Sequence, residues 1–277
     1  MKKTAGVLIG LVVTLALSGC NETADREAPI SFDGIAAAGA QAQRDHGLRL
    51  TQVLGCRGCH GPGLEGQKWD DDPKGYGVMW ASNLTRAIPL MTDRQLEDLL
   101  RRGVHPTRSK LWAMPSEMFQ HLSAPDMAAL IAHLRAVPPA GTLSPSPVLG
   151  DKARTEIAKG AYKPSAVLVQ ENRDELPADA GPQFALGRYI TSLTCAECHG
   201  MRLEGGTNEE GTIPDLIVAS AYSPAEFGHF ITTGVTPGNR KIDKLMVKVA
   251  QSRFSHLTPH ERQALYGYLQ ARAQLPQ

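Results

Sequence analysis

The pentapeptides Cys56-Arg57-Gly58-Cys59-His60 and Cys195-Ala196-Glu197-Cys198-His199 constrain this chain more tightly than any other feature. Each places two thiols on one short turn with an imidazole directly behind the second. The motifs stand 139 residues apart, and at that offset Arg49 matches Arg188 and Leu64-Glu65-Gly66 matches Leu203-Glu204-Gly205. The order then continues with altered spacing: Thr92-Asp93-Arg94-Gln95 answers to Ser223-Pro224-Ala225-Glu226, and Gly103 to Gly234. Both segments read as helix starts, with a hydroxyl cap and Gln or Glu three residues later. Apolar stripes follow at Leu96, Leu99 and Leu100 and at Phe227, Phe230 and Ile231. Ser123-Ala124-Pro125-Asp126 precedes Met127, Leu130 and Leu134, as Thr258-Pro259-His260-Glu261 precedes Leu265 and Leu269. Long alternating β-branched runs are missing, so few strands are expected. The pattern predicts an all-α chain of two tandem, duplicated domains at 30–140 and 148–277. A proline-rich linker at 141–147 parts them, and four prolines between Val137 and Pro147 give that stretch extended character.

A Cys-x-x-Cys-His motif reads as a c-type haem attachment site, the thiols forming thioethers and the histidine ligating iron. Cys56, Cys59, Cys195 and Cys198 are thus the expected anchors of two covalent haem c groups, with His60 and His199 as proximal ligands. Zinc binding, dithiol exchange and disulfide stapling are the rival readings. Zinc and stapling leave the repeated histidine unexplained, and exchange chemistry wants a βαβ setting that the pattern lacks. For the second axial ligand, Met114 lies 54 residues beyond His60 and is followed by Pro115, which stiffens its loop. Met246 lies 47 residues beyond His199 with no proline after it. Met118, His105 and His121 compete in the first half, and His229 and His256 in the second.

At 277 residues and 42% hydrophobic composition the chain can build two modest cores, which an inserted haem would help to fill. A net charge of +1 gives no bulk electrostatic case for a nucleic-acid partner. Basic clusters at Arg101, Arg102, Arg108 and Lys110 and from Arg240 to Arg253 read equally as steering for an acidic redox partner or as solvated loop charge. The fifth cysteine lies at the start of the chain. Lys2 and Lys3 precede an apolar run, Val7 to Leu17, too short to span a bilayer core of about 30 Å. It reads as an export signal. Leu17-Ser18-Gly19-Cys20 resembles the lipobox of bacterial lipoproteins. That resemblance implies a signal peptide at 1–19, lipidation of Cys20, a tether at 20–29 and a membrane anchor holding both domains in the periplasm. Asn21, in place of the aspartate common in inner-membrane members, favours the outer membrane.

As a whole the chain resembles a dihaem member of the class I cytochrome c superfamily, close to the cytochrome subunits of membrane-associated bacterial dehydrogenases. The likeness rests on both Cys-x-x-Cys-His motifs and Ala81-Ser82-Asn83-Leu84-Thr85. It also rests on Met114-Pro115, Phe119 and Leu122-Ser123, with Met246, Phe254 and Leu257-Thr258 as the second appearance. It implies that the first and last helices of each domain pack around a haem. Iron held by histidine and methionine exchanges single electrons and has no open position for substrate. The expected function is electron relay between a protein donor and acceptor, such as a dehydrogenase or terminal oxidase. A catalytic dihaem cytochrome, a peroxidase or thiosulfate-oxidising enzyme, is the alternative. Asp70-Asp71-Asp72 stands outside the family pattern.

Overall fold

A computed structural model describes residues 29–34, 38–208 and 211–276. The expected signal peptide, Cys20 and all of the tether except Pro29 lie outside these residues. Helix accounts for 54% and strand for 7%, so the fold is mostly helical. Among the described residues, no helix is long and apolar enough to cross a membrane.

The first half runs α1 (Ala40–Val53), α2 (Cys56–His60), a hairpin of β1 (Gln67–Asp72) and β2 (Gly77–Ala81), α3 (Leu84–Ala87), α4 (Asp93–Arg102), α5 (Ser116–Phe119) and α6 (Ala124–Ala136). Thr92 and Gln95 close a capping box on α4, and Ser123 accepts from the Asp126 amide at the start of α6. Asp70, Asp71 and Asp72 end β1, with Asp70 half-buried and the other two exposed. The Asp72 side chain accepts from the Lys74 amide at 2.9 Å, so this acid serves the hairpin turn.

The chain does not pass at residue 148 into the second half. β3 (Val148–Leu149) joins β2 antiparallel, α7 (Asp151–Ala158) packs beside it, and α8 (Ser165–Glu171) lies against α4 and α5. Tyr162 stacks on Trp112 at 4.9 Å and meets Tyr76 edge-on at 5.2 Å. The 141–147 stretch is pinned as well: Asn83 Nδ2 donates to the Ala140 and Thr142 carbonyls, and Ser144 Oγ donates to Ala81. The predicted boundary at 148 therefore does not match the packing. Prolines keep this segment extended, but its free carbonyls and hydroxyls find partners on the first half. Packing changes allegiance near residue 177, where the Pro177 and Ala178 carbonyls accept from Arg188 and Tyr268.

The second half contains α9 (Ala185–Thr194), α10 (Ala196–His199), β4 (Gly206–Asn208), β5 (Gly211–Ile213), α11 (Pro224–Thr233), α12 (Lys244–Ser252) and α13 (Pro259–Arg272). Ser223–Glu226 and Thr258–Glu261 close capping boxes at the expected helix starts. In each half the first long helix crosses the last: α1 packs on α6 and α9 on α13. Both crossings need a glycine. A Cβ on Gly47 would lie 2.0 Å from the Ala129 carbonyl oxygen, and one on Gly187 2.2 Å from that of Ala264.

The halves share one contiguous apolar core. Two fully buried acids lock them together. Asp126 accepts from the Phe32 amide, from Ser123 Oγ and, across the halves, from Tyr189 Oη at 2.8 Å, and it bonds His46 at 2.7 Å. Glu261 receives both Arg49 nitrogens at 2.7 and 2.9 Å, together with the Asp33 amide at 2.8 Å.

Gly47→Ala and Gly187→Ala should each lower unfolding free energy by about 1–3 kcal/mol, the cost of overpacking. Gly228→Ala, whose Cβ would meet nothing within 4 Å in α11, should instead stabilise by up to about 1 kcal/mol. Denaturant titration of the three variants separates the opposite signs.

Candidate functional site

The two Cys-x-x-Cys-His turns are reached differently. Gly55, at φ 78°, lets the chain turn from α1 into α2, whereas α9 runs through Cys195 straight into α10. Beyond each histidine the geometry is the same. Gly66 N–H donates to the His60 carbonyl and Gly205 N–H to that of His199. Leu64 and Leu203 each take φ 62°, uncommon for a residue with a side chain. Both are buried, which holds that conformation in place. Their carbonyls accept from Leu84 and Leu216, tying each turn to the segment that faces it.

That tie positions an acceptor for each imidazole. His60 Nδ1 lies 2.8 Å from the Ser82 carbonyl oxygen, and His199 Nδ1 2.8 Å from that of Pro214. Donation from Nδ1 fixes the tautomer in which Nε2 keeps its lone pair, the arrangement of a metal-ligating histidine. Burial pushes both imidazoles below their ordinary pKa, against the carbonyl bonds that favour the charged form, so both are neutral at pH 7. The Ser82-Asn83-Leu84-Thr85 segment thus has two duties. Ser82 orients His60 while Asn83 anchors the chain after α6.

Burial pushes the Cys56 thiol up to about 12, Cys195 to about 11, and Cys59 upward as well. Thiols held as far above neutrality as Cys56 and Cys195 are poor nucleophiles, which counts against their use in dithiol exchange. Among the described residues no three His, Cys, Asp or Glu side chains gather as a metal site.

A cavity of about 1150 Å³ opens beside the first turn. It exceeds the roughly 300–1,000 Å³ of ordinary ligand sites. Cys56, Cys59, His60 and Met114 all line it, with Leu96, Leu100 and Leu130 among its apolar walls. The first motif and Met114, 54 residues beyond its histidine, therefore meet at one void. Met118 is buried in the core and is not part of the lining, whereas His105 is. His105 Nδ1 accepts from the Thr107 and Arg108 amides, so that ring already organises its own loop. The Met114 loop is fixed from beyond the proline-rich stretch: buried Ser165, at the start of α8, donates to the Met114 carbonyl at 2.7 Å.

Met246 has a different setting. It is half-buried in the first turn of α12, not on a proline-stiffened loop like that of Met114. Phe254 and Leu257, expected beside it, are buried in the core. His229 is exposed, and His256 is half-buried with its carbonyl accepting from Arg49.

Sequence reasoning missed much of the first cavity wall. All three tryptophans, Trp69, Trp80 and Trp112, line it, and their confinement to the first half was a readable signal. Leu149, Arg154 and Ile157 come from the segment assigned to the other domain, and no local pattern announces that. The basic clusters divide: Arg101 is tied to Glu97, Gln120 and Leu122, Arg108 and Lys110 line the cavity, and Arg240, Lys241, Lys244 and Lys248 are exposed.

No protein-family model matches the chain, and no curated protein matches it.

Ser165→Ala should cost about 1 kcal/mol by thermal unfolding. The lost bond falls at the low end of the range because the Met114 carbonyl keeps its bond from the Ser116 amide.

Proposed function

We propose that the chain is a dihaem electron-transfer protein of the class I cytochrome c type, built from two related units and tethered to the cell-envelope membrane through Cys20. The observation that carries this reading is the convergence of Cys56, Cys59, His60 and Met114 on one oversized, largely apolar cavity. The residues fit the group. Cys56 and Cys59 would carry the thioethers, His60 offers a neutral Nε2 lone pair with Nδ1 already engaged, and Met114 stands on a loop braced by Ser165. The three tryptophans and the leucines supply a large apolar lining, and Arg108, Lys110 and Arg154 place positive charge on the same wall.

The second unit is proposed on parallel grounds. Leu203 repeats the backbone of Leu64, His199 repeats the carbonyl bond of His60, and the α9–α13 crossing repeats α1–α6. Cys195 and Cys198 would anchor the second haem, with His199 and Met246 as its axial pair. Met246 rests on order and on the small number of candidate methionines in that half. A haem c ligated on both faces supplies reversible one-electron exchange. The protein's part is to keep the imidazoles neutral and oriented, to exclude water with apolar walls, and to hold two sites in one rigid core. Its partners would be a protein donor and acceptor, such as a dehydrogenase and a terminal oxidase, with both units in the periplasm and the anchor in the outer membrane.

Purified holoprotein should contain two covalently bound haems, both low-spin, with a far-red methionine-to-iron charge-transfer band. Met114→Ala should remove about half of that band. A protein without covalent haem would end the reading. A high-spin ferric centre in the unmodified protein would turn it toward peroxidase-like or thiosulfate-oxidising catalysis.

A further inference from the structure

One side chain touches the neighbourhood of both Cys-x-x-Cys-His turns. Arg253, between α12 and the 3-10 turn Phe254–His256, belongs to the second half but reaches into the first. Its Nε donates to the Val53 carbonyl at 3.1 Å, and its guanidinium lies on Gly55, where an added Cβ would come within 2.8 Å of Cζ. Gly55 directly precedes Cys56. On its other side Nη1 pairs at 2.7 Å with Glu197, which stands between Cys195 and Cys198 and also lines the first cavity. The Arg253 side chain is only 11% exposed, and its Nη2 is buried with no hydrogen-bond partner. A buried, incompletely satisfied guanidinium is costly, and its expense here coincides with the place where the two turns approach.

We propose that Arg253 is a positioning residue that fixes the two attachment turns against each other across the halves and sets a shared positive charge beside both redox sites. This rests on the dihaem reading above. The guanidinium sits against Gly55, next to Cys56, and against Glu197, inside the second motif, so its charge stands beside both turns. A positive charge in a water-poor setting favours the reduced state of a nearby centre, and Glu197 tempers it. With the turns bridged by one residue pair, two haems held there would exchange an electron directly, the oxidation of one balancing the reduction of the other. No bond is made, no proton moves, and no further reactant is consumed.

The holoprotein carrying Arg253→Gln, Arg253→Lys or Glu197→Gln tests this by potentiometric titration and Soret circular dichroism. Arg253→Gln should lower both midpoint potentials together and cut the paired-haem Soret couplet to less than half. Arg253→Lys, which keeps the charge but cannot span both anchors, should restore the potentials and leave the couplet weak. Glu197→Gln, which uncovers the charge, should raise both potentials, and it carries the test if Arg253→Gln does not mature. Potentials that stay unchanged, or that move at one site only, would overturn the assignment. A wild-type preparation lacking two haems would instead defeat the underlying reading.

Discussion

Asp126 and Glu261 are fully buried carboxylates, each at the third position of the last helix in its half. An acid there ordinarily serves free amides and the positive helix end. Here each also takes a donor from the opposite half, Tyr189 at Asp126 and Arg49 at Glu261. Removing one partner of such a buried set strands the rest without water, at a cost of about 3–5 kcal/mol. The reciprocity matters more than the energy. Tyr189 lies on α9 and Arg49 on α1, the helices that lead into the two cysteine turns, so the locks fix the spacing of those turns.

The dense Arg49 cluster shows how this is done. Asp33 bonds Thr258, His260 and, through its amide, Glu261, so an N-terminal segment of the first half caps a helix of the second. Hydrogen bonds to Thr258 and His260, with the nearby charges of His260 and Arg49, hold the Asp33 carboxyl below its usual pKa despite burial. The matching residue Arg188 makes no such crossing: it turns back to Pro177 and Asp179 within its own half. Repeated sequence thus carries unequal roles at the join between units.

The sequence made some of this legible because the information was local. The hydroxyl caps at Thr92, Ser123, Ser223 and Thr258, each reaching the amide three residues on, are where the pattern put them. The stripes at Leu96 and Leu100 and at Leu265 and Leu269 are buried as expected. The first cysteine turn, its histidine and Met114, all singled out in the sequence, line one cavity. What stayed hidden depends on partners distant in sequence. No local pattern tells that Asn83 will hold the chain after α6, that Ser165 will brace Met114, or that Arg253 will fold inward while Lys248, five residues earlier, stays exposed.

The return of residues 141–172 to the first half also bears on how the chain is made. Translation releases residue 140 with the first cavity still missing Leu149, Arg154 and Ile157 from its wall and the Ser165 brace from its methionine loop. The earlier half is thus finished only once some thirty further residues, those of 141–172, have left the ribosome. A fragment meant to stand for that half should end near residue 175, because one cut at the prolines would present an open shell.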